Sequence, residues 1–357
     1  MKIGILGMPL TGKTTLFNLL TGQEKEVSAF STKGTKNIGV AKVHDQRIDY
    51  LSSLYHPKKT TYATIELIDI AGISPELSSR EKSEIFGLIQ DTEALLFAVR
   101  LFEDPAVSGE TNPLTQIDNL RYELLLRDLE VVENRLERLA HSKKKLTHEE
   151  LFEIEILKKC NQDLSEDQFL SKLEFTADEM KKLSGFSFYT LKPIIIARNL
   201  SEEQFRTGTF FGKEELEKIV RENGMASIDI CGKIEMEINQ LEEEERKMFL
   251  EDLGLKESGI ERLSRICYQY LGLISFFTVG EDEVKAWTIK KNTIAKKAAG
   301  KVHSDIERGF IRAEIAKYQH LVDLGDIHKV KEKGLLKVEG KEAIIEDGDI
   351  INFRFNI

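Results

Sequence analysis

Short β-branched runs alternate with amphipathic stretches over the first hundred residues: 3–6, 14–20, 62–70 and 94–99 are apolar in turn, with polar segments between. That is the βαβ rhythm of a mostly parallel sheet. From about 112 to 189 the period lengthens, and Tyr122, Leu125, Leu129, Val132, Leu136 and Leu139 recur at spacings of three and four with Arg and Glu on the flanks. This predicts a heptad-like helical seam. A basic turn, Lys143-Lys144-Lys145, separates it from a second helical stretch, 149–159, carrying Leu151, Ile154 and Leu157. Together they predict an antiparallel coiled-coil arm about 40 Å long at 1.5 Å per residue.

The sheet pattern resumes with the apolar run 194–197 and a second strand at 227–230, followed by helices at 241–253 and 260–271. Beyond 273 the style changes to short strands and turns, with strands expected at 274–279, 333–338 and 349–357. The expected organisation is therefore an α/β domain over 1–105 and 190–272, a helical insertion at 106–189 and a small appended domain at 273–357.

With 357 residues, 41% of them hydrophobic, each part has material for its own core and disorder along the whole chain is excluded. The 51 Lys and Arg against 61 Asp and Glu give a net charge of −10, which argues against wholesale coating of nucleic acid. No apolar run approaches the roughly 20 residues of a membrane span. The first residues run straight into a glycine motif and read as a strand, not a signal peptide. With no membrane span no membrane partner is expected, and three cysteines, Cys160, Cys231 and Cys267, with no C-x-x-C pair among them, point to a reducing cytoplasm.

The strongest chemical signal is Gly7-Met8-Pro9-Leu10-Thr11-Gly12-Lys13-Thr14, a complete G-x-x-x-x-G-K-T between a strand and a helix. Backbone N–H groups of such a loop wrap a β-phosphate, Lys13 neutralises the β- and γ-phosphates, and the Thr14 hydroxyl can sit on Mg²⁺. Leu10, Thr11, Gly12, Lys13, Thr14 and Thr15 are the expected nucleotide contacts, with Lys13 in the catalytic role. A second signal, Asp69-Ile70-Ala71-Gly72, places an Asp at the end of an apolar strand, where it can hold Mg²⁺ through water. Gly72 then lets a backbone N–H approach a γ-phosphate.

A third signal, Asn199-Leu200-Ser201-Glu202, follows the buried strand, where most GTPases place N-K-x-D to read guanine. Here the acid is Glu, and one extra methylene moves the carboxylate by more than about one ångström, enough to spoil a bidentate contact. Weak guanine selectivity follows, with Asn199, Leu200 and Glu202 around the base. Gly232, in the loop Cys231-Gly232-Lys233, lines it too. The competing reading of this segment is an ordinary helix start capped by Ser201.

The order GMPLTGKTTLFNLLT, DIAG, NLSE and CGKIE, with AWTIKKNTIAKKAAGKVHSDIERGFIRAE and the closing DGDIINFRFNI, resembles the YchF or Obg-like ATPase family across almost the whole chain. The resemblance implies a P-loop NTPase domain of the TRAFAC class, interrupted by a coiled-coil domain and followed by a β-grasp TGS domain. It also implies hydrolysis of ATP in preference to GTP, Mg²⁺ as cofactor, and association with ribosomes or structured RNA. A monomer is expected.

The chain departs from the family's pattern in three places. Leu10 stands where members usually carry Asn, Ile73–Arg80 replaces a glycine-rich switch, and 104–112 lacks a His that many members have. Ile73 follows D-x-x-G where Ras-type enzymes orient water with Gln, so intrinsic hydrolysis is expected to be slow. Arg80 and Arg100 read as exposed structural residues ahead of charge stabilisers. Thr32 is the expected switch hydroxyl on Mg²⁺, with Thr35 its rival. The arm tip, Arg135, Arg138 and Lys143–Lys145, and the segment 285–317, with nine Lys and Arg against Asp305, Glu307 and Glu314, are the expected RNA-facing surfaces. Within the second, Trp287 and His303 read as structural. Against the switch ATPase stands an RNA-binding factor that holds nucleotide as a structural ligand with negligible turnover. A small-molecule kinase is disfavoured by the N-x-x-E element.

Overall fold

The structure, a computed structural model, describes residues 1–23, 36–103 and 109–356. Thr32 and Thr35 lie outside the described residues. The chain divides into two units, Met1–Gly39 with Glu66–Ile260 and Val40–Ile65 with Glu261–Ile357.

The first unit is built on strands β1 (Lys2–Leu6), β5 (Ala94–Arg100), β6 (Ile194–Asn199) and β7 (Ala226–Ile230), with the start of β2 (Lys36–Val43) and the end of β4 (Ala63–Ile70), in the sheet order β2-β4-β1-β5-β6-β7. β1 pairs in parallel with β4 and β5, β5 with β6, and β6 with β7. Every residue of β5 and β6 is buried, as continuous apolar runs in a covered parallel sheet require. The register sets Ile5 beside Asp69, Arg100 beside Asn199 and Asn199 beside Ile230. The ends of β1, β4, β6 and β7 therefore converge on one edge, the carboxyl edge where open parallel sheets bind ligands.

Helix α1 (Lys13–Thr21) follows β1 directly. Helices α4 (Pro113–Ala140) and α5 (His148–Ser165) are the expected arm, with α2 (Gln46–Tyr55) and α3 (Ser79–Gly87) earlier in the chain. Asn112 and Pro113 start α4, and Thr147 with Glu150 forms a capping box at α5. The buried face of α4 is Ile117, Leu120, Leu124, Leu125, Val132 and Leu139, while Tyr122 is 56% and Leu151 50% exposed, so neither belongs to the expected seam. The difference has a cause: α4 packs on β5 and on the chain entering β6 as well as on α5, so its buried face is wider than a seam with α5 alone. Asp128 on α4 accepts from the N–H groups of Tyr189 and Thr190 and from the Thr190 hydroxyl, at 2.7–2.9 Å, tying the arm to the chain entering β6.

The second unit carries a six-stranded mixed sheet. Its strands are β3 (Lys59–Thr61), β8 (Leu273–Thr278), β9 (Glu283–Lys290), β10 (Phe310–Lys317), β11 (Lys337–Glu339) and β12 (Asp349–Phe355), in the order β11-β10-β12-β8-β9-β3. The sheet covers the helix Ala295–Val302, whose Ala295, Ala298 and Ala299 are fully buried and let it approach Phe276, Ile315 and Phe353 closely. This is the β-grasp-like arrangement. The sequence boundary at 272/273 falls inside this unit, which begins at Glu261 and also takes in Val40–Ile65. That segment is held by β3 pairing in parallel with β9 and by Arg47, which bonds Asp45 and Asp347 and lies 5.3 Å over the Phe277 ring.

Candidate nucleotide site

The turn after β1 is held open by two left-handed residues, Leu10 at φ 61° and Gly12 at φ 88°. A Cβ at Gly12 would lie 2.4 Å from Asn199 Nδ2, so only glycine lets the loop and the Asn199 amide meet. Leu10 has no such excuse: a branched side chain in this region costs about 1–2 kcal/mol. Thr11, buried, donates its hydroxyl to the Met8 carbonyl at 3.0 Å. No side chain caps α1, so the N–H groups at its start, Lys13, Thr14 and Thr15 among them, are left to an anion.

Lys13 is only 7% exposed, and its ammonium donates to the Met8 carbonyl at 2.7 Å. Burial pulls its pKa down to about 8, with the Asp69 carboxylate opposing. Thr14 Oγ1 donates to Asp69 Oδ2 at 3.1 Å, and Asn37 Nδ2, from β2, donates to the same oxygen at 3.3 Å. Burial raises the Asp69 carboxyl above its ordinary value; Asn37, the Lys13 charge and Thr14 hold it back. Asp69 Oδ1 is buried with no hydrogen-bond partner among the described residues. A hydroxyl and a carboxylate with one unsatisfied oxygen form a hard-oxygen donor set that fits Mg²⁺ with its waters. Among the described residues no group of three or more His, Cys, Asp and Glu gathers anywhere.

Gly72 closes the site. A Cβ there would stand 2.7 Å from Pro9 N and 3.1 Å from Lys13 Nζ, and the next residue, Ile73, donates its N–H to the Gly7 carbonyl at 3.0 Å. Ile73 is buried and offers water nothing. Ser78 and Glu81 form a capping box that starts α3. Arg80 is exposed and pairs with Glu84, as its structural reading expects. Arg100 is 2% exposed, which corrects the expectation of an exposed residue: its Nε donates to the Phe102 carbonyl and its guanidinium covers the Phe102 ring, while Gln116 clamps its backbone N–H and C=O.

At the end of β6 Asn199 Nδ2 donates to the Thr11 carbonyl at 3.2 Å and its Oδ1 accepts from the Gly232 N–H at 3.1 Å, locking three loops together. Leu200 is 2% exposed, with its N–H bonded to the Ile230 carbonyl, so its side chain lies in the core. Ser201 caps the following helix, Glu202–Thr207. Glu202 is exposed and pairs with Lys233 at 2.5 Å. The loops thus bring together Thr11, Gly12, Asn199 and Gly232 as well as Lys13, Thr14 and Asp69. Asn37 escaped the sequence reading; its signal was its place on a strand two residues before Gly39, in the segment that also left Thr32 and Thr35 undecided.

Elsewhere, Arg135 is not a free tip cation: it bonds the buried Glu153 at 2.5 Å, which also takes Lys182, leaving Arg138 and Lys143–Lys145 exposed at the tip. Trp287 stacks on Phe276, lies under Lys285 Nζ and donates to Thr278, a core role. His303 Nδ1 accepts from the Asp305 N–H at the start of a short helix.

Two family models match the chain: one described as 50S ribosome-binding GTPase over residues 2–135, and the C-terminal YchF GTPase model, described as a protein of unknown function (DUF933), over 273–356. The ribosome-binding ATPase YchF of Bacillus subtilis is 40% identical over 99% of this chain and 99% of its own length. Its counterpart in Escherichia coli O157:H7 is 35% identical over 100% and 99%. The structure of the Schizosaccharomyces pombe YchF GTPase superposes with a TM-score of 0.86 at 30% identity, covering 99% of this chain and 97% of that one. Identity at this level, end to end on both sides, shows that the chain belongs to the YchF family.

Proposed function

We propose that this protein is a Mg²⁺-dependent switch ATPase of the cytoplasm that docks on the ribosome and turns over slowly on its own. The observation that carries the reading is the meeting, at one sheet edge, of an uncapped helix start, the buried Lys13 and the Thr14–Asp69 pair. Mg²⁺, held by Thr14 and Asp69, would supply charge neutralisation at the β- and γ-phosphates. Lys13 exchanges the Met8 carbonyl for phosphate oxygens, and the α1 N–H groups take the rest. Glu202 in place of Asp accounts for ATP over GTP. Ile73 positions no water, so acceleration must come from outside the site, which suits a protein whose relatives bear the name ribosome-binding ATPase.

Two basic surfaces suit RNA phosphates: Arg138 with Lys143–Lys145 at the arm tip, and Lys290, Lys291, Lys296 and Lys301 in the second unit. The buried thiols of Cys160, Cys231 and Cys267 accord with a reducing compartment. The test is steady-state phosphate release from ATP and from GTP, with and without ribosomes, for the wild type and Lys13→Ala. Ribosome-stimulated release that prefers ATP and vanishes in the variant is expected. Unchanged release in both comparisons overturns the reading; tight ATP binding without release under any condition replaces it by a structural nucleotide.

A further inference from the structure

We propose that Asn37 is a positioning residue for the metal end of the site: its side-chain amide fixes the Asp69 carboxylate so that one oxygen is left for a metal-bound water. The inference rests on reading the site as one for a magnesium nucleotide. Asp69 is 3% exposed, so each of its oxygens needs a partner. Both donors found among the described residues, Thr14 Oγ1 at 3.1 Å and Asn37 Nδ2 at 3.3 Å, go to Oδ2. Oδ1 receives none among the described residues. A buried carboxylate oxygen left bare costs at least about 1–3 kcal/mol, and a hydrated cation removes that cost by bringing a water.

The chemistry of residue 37 matters. Two donors on one oxygen hold the carboxylate plane, where Thr14 alone would leave it free to swing about its Cβ–Cγ bond. The amide does this without charge, so the negative charge of Asp69 stays available to the cation, whereas Lys or Arg would cancel it. Asp at 37 would set two carboxylates against each other, and Ala would release Oδ2. Groups that orient a metal's ligands in this way typically change metal affinity 10–100-fold when lost. Thr14 cannot substitute, because its own oxygen is the atom the metal would take directly.

The experiment uses the full chain and calorimetric binding of ADP, first in excess EDTA and then across a Mg²⁺ titration, for wild type, Asn37→Ala, Asn37→Asp, Asp69→Asn and the Asn37→Ala/Asp69→Asn double variant. Asn37→Ala is expected to keep its EDTA affinity within about twofold while the Mg²⁺ concentration for half-maximal tightening rises about tenfold. The double variant should respond to Mg²⁺ no worse than Asp69→Asn, because Asn37 acts only through that carboxylate. An unchanged Mg²⁺ midpoint in Asn37→Ala, or a full additional loss in the double variant, overturns the inference. A general loss of ADP affinity in EDTA also overturns it, since that marks a structural role. If the wild type binds no ADP under either condition, the underlying reading of the site fails instead.

Discussion

Replacing Lys13 by Met should make the nucleotide-free protein more stable, although the same change should abolish nucleotide binding. The charged ammonium is 7% exposed, with one carbonyl at 2.7 Å and one carboxylate nearby, in the site proposed for phosphates. Its pKa falls from 10.5 to about 8. At about 1.36 kcal/mol per pH unit this displacement is a charge penalty of about 3 kcal/mol in the folded state. Met fills nearly the same volume without the charge, but the hydrogen bond to Met8 is lost, worth about 1 kcal/mol. A net gain of about 2 kcal/mol remains.

The sign with pH is fixed by linkage. Below about 8 Lys13 is charged in both states and the penalty is complete. Between about 8 and 10.5 the folded protein releases the proton while the unfolded chain keeps it, so wild-type stability recovers as pH rises. The advantage of Lys13→Met should therefore be largest near pH 7 and fade at about pH 10. The other groups that titrate there, such as Lys192, also lowered to about 8, cancel in the difference. Urea unfolding of nucleotide-free protein should be followed by far-ultraviolet circular dichroism, because the single tryptophan, Trp287, belongs to the second unit. Mg·ATP should then raise the wild-type midpoint and leave the variant's unmoved. A variant less stable than wild type at pH 7, or a difference constant from pH 7 to 10, would refute the argument that the site holds an unfavourable charge in wait for phosphate.

Leu10→Asn should stabilise the apo protein by about 0.5–1 kcal/mol, because Asn tolerates the left-handed backbone at φ 61°; an unfolding midpoint at or below the wild type's would contradict this. Gly72→Ala should cost nucleotide affinity about tenfold or more, since its Cβ would press 2.7 Å from Pro9 N, and calorimetric titration with Mg·ADP at wild-type affinity would speak against it. Glu202→Asp alone should raise the affinity for GTP relative to ATP, about tenfold if a bidentate contact forms; equal ratios would mean that this residue does not read the base. Pairing that change with Leu200→Lys is unsuitable, because position 200 is buried and an ammonium there would disrupt the core. Asp128, pushed up to about 6 by burial, should give the wild type stability relative to Asp128→Asn that grows as pH falls from about 6 towards 3.8, read from urea midpoints across that range.

How much of this was legible in the sequence depends on the range over which each feature is decided. The phosphate loop, the Asp69 strand and the Asn199 strand were readable because each is a short apolar run ending at a residue with one chemical use, and a parallel sheet brings such ends to one edge. Ser201 was readable as a cap for the same local reason, and the structure makes capping and the meeting with the P-loop compatible, since Asn199 and Ser201 do separate jobs two residues apart. What escaped was decided at a distance. Arg100 ends a strand and looks like a surface cation, but Gln116 and Phe102 enclose it. Arg135 reads as part of a basic tip until Glu153, eighteen residues on, claims it. Tyr122 obeys a heptad, but α4 also packs on β5 and on the chain entering β6, and Tyr122 is left exposed. The segment 40–65 carries too little apolar periodicity to announce β3, which exists only because β9 lends it a partner. Asn37 combines both cases: its identity is plain, but its meaning appears only when the β2 backbone sets its amide against Asp69, thirty-two residues away and already holding Thr14. Pattern reading finds groups that act at the end of their own element; a group that acts by holding another residue's side chain is visible only once the two elements are paired.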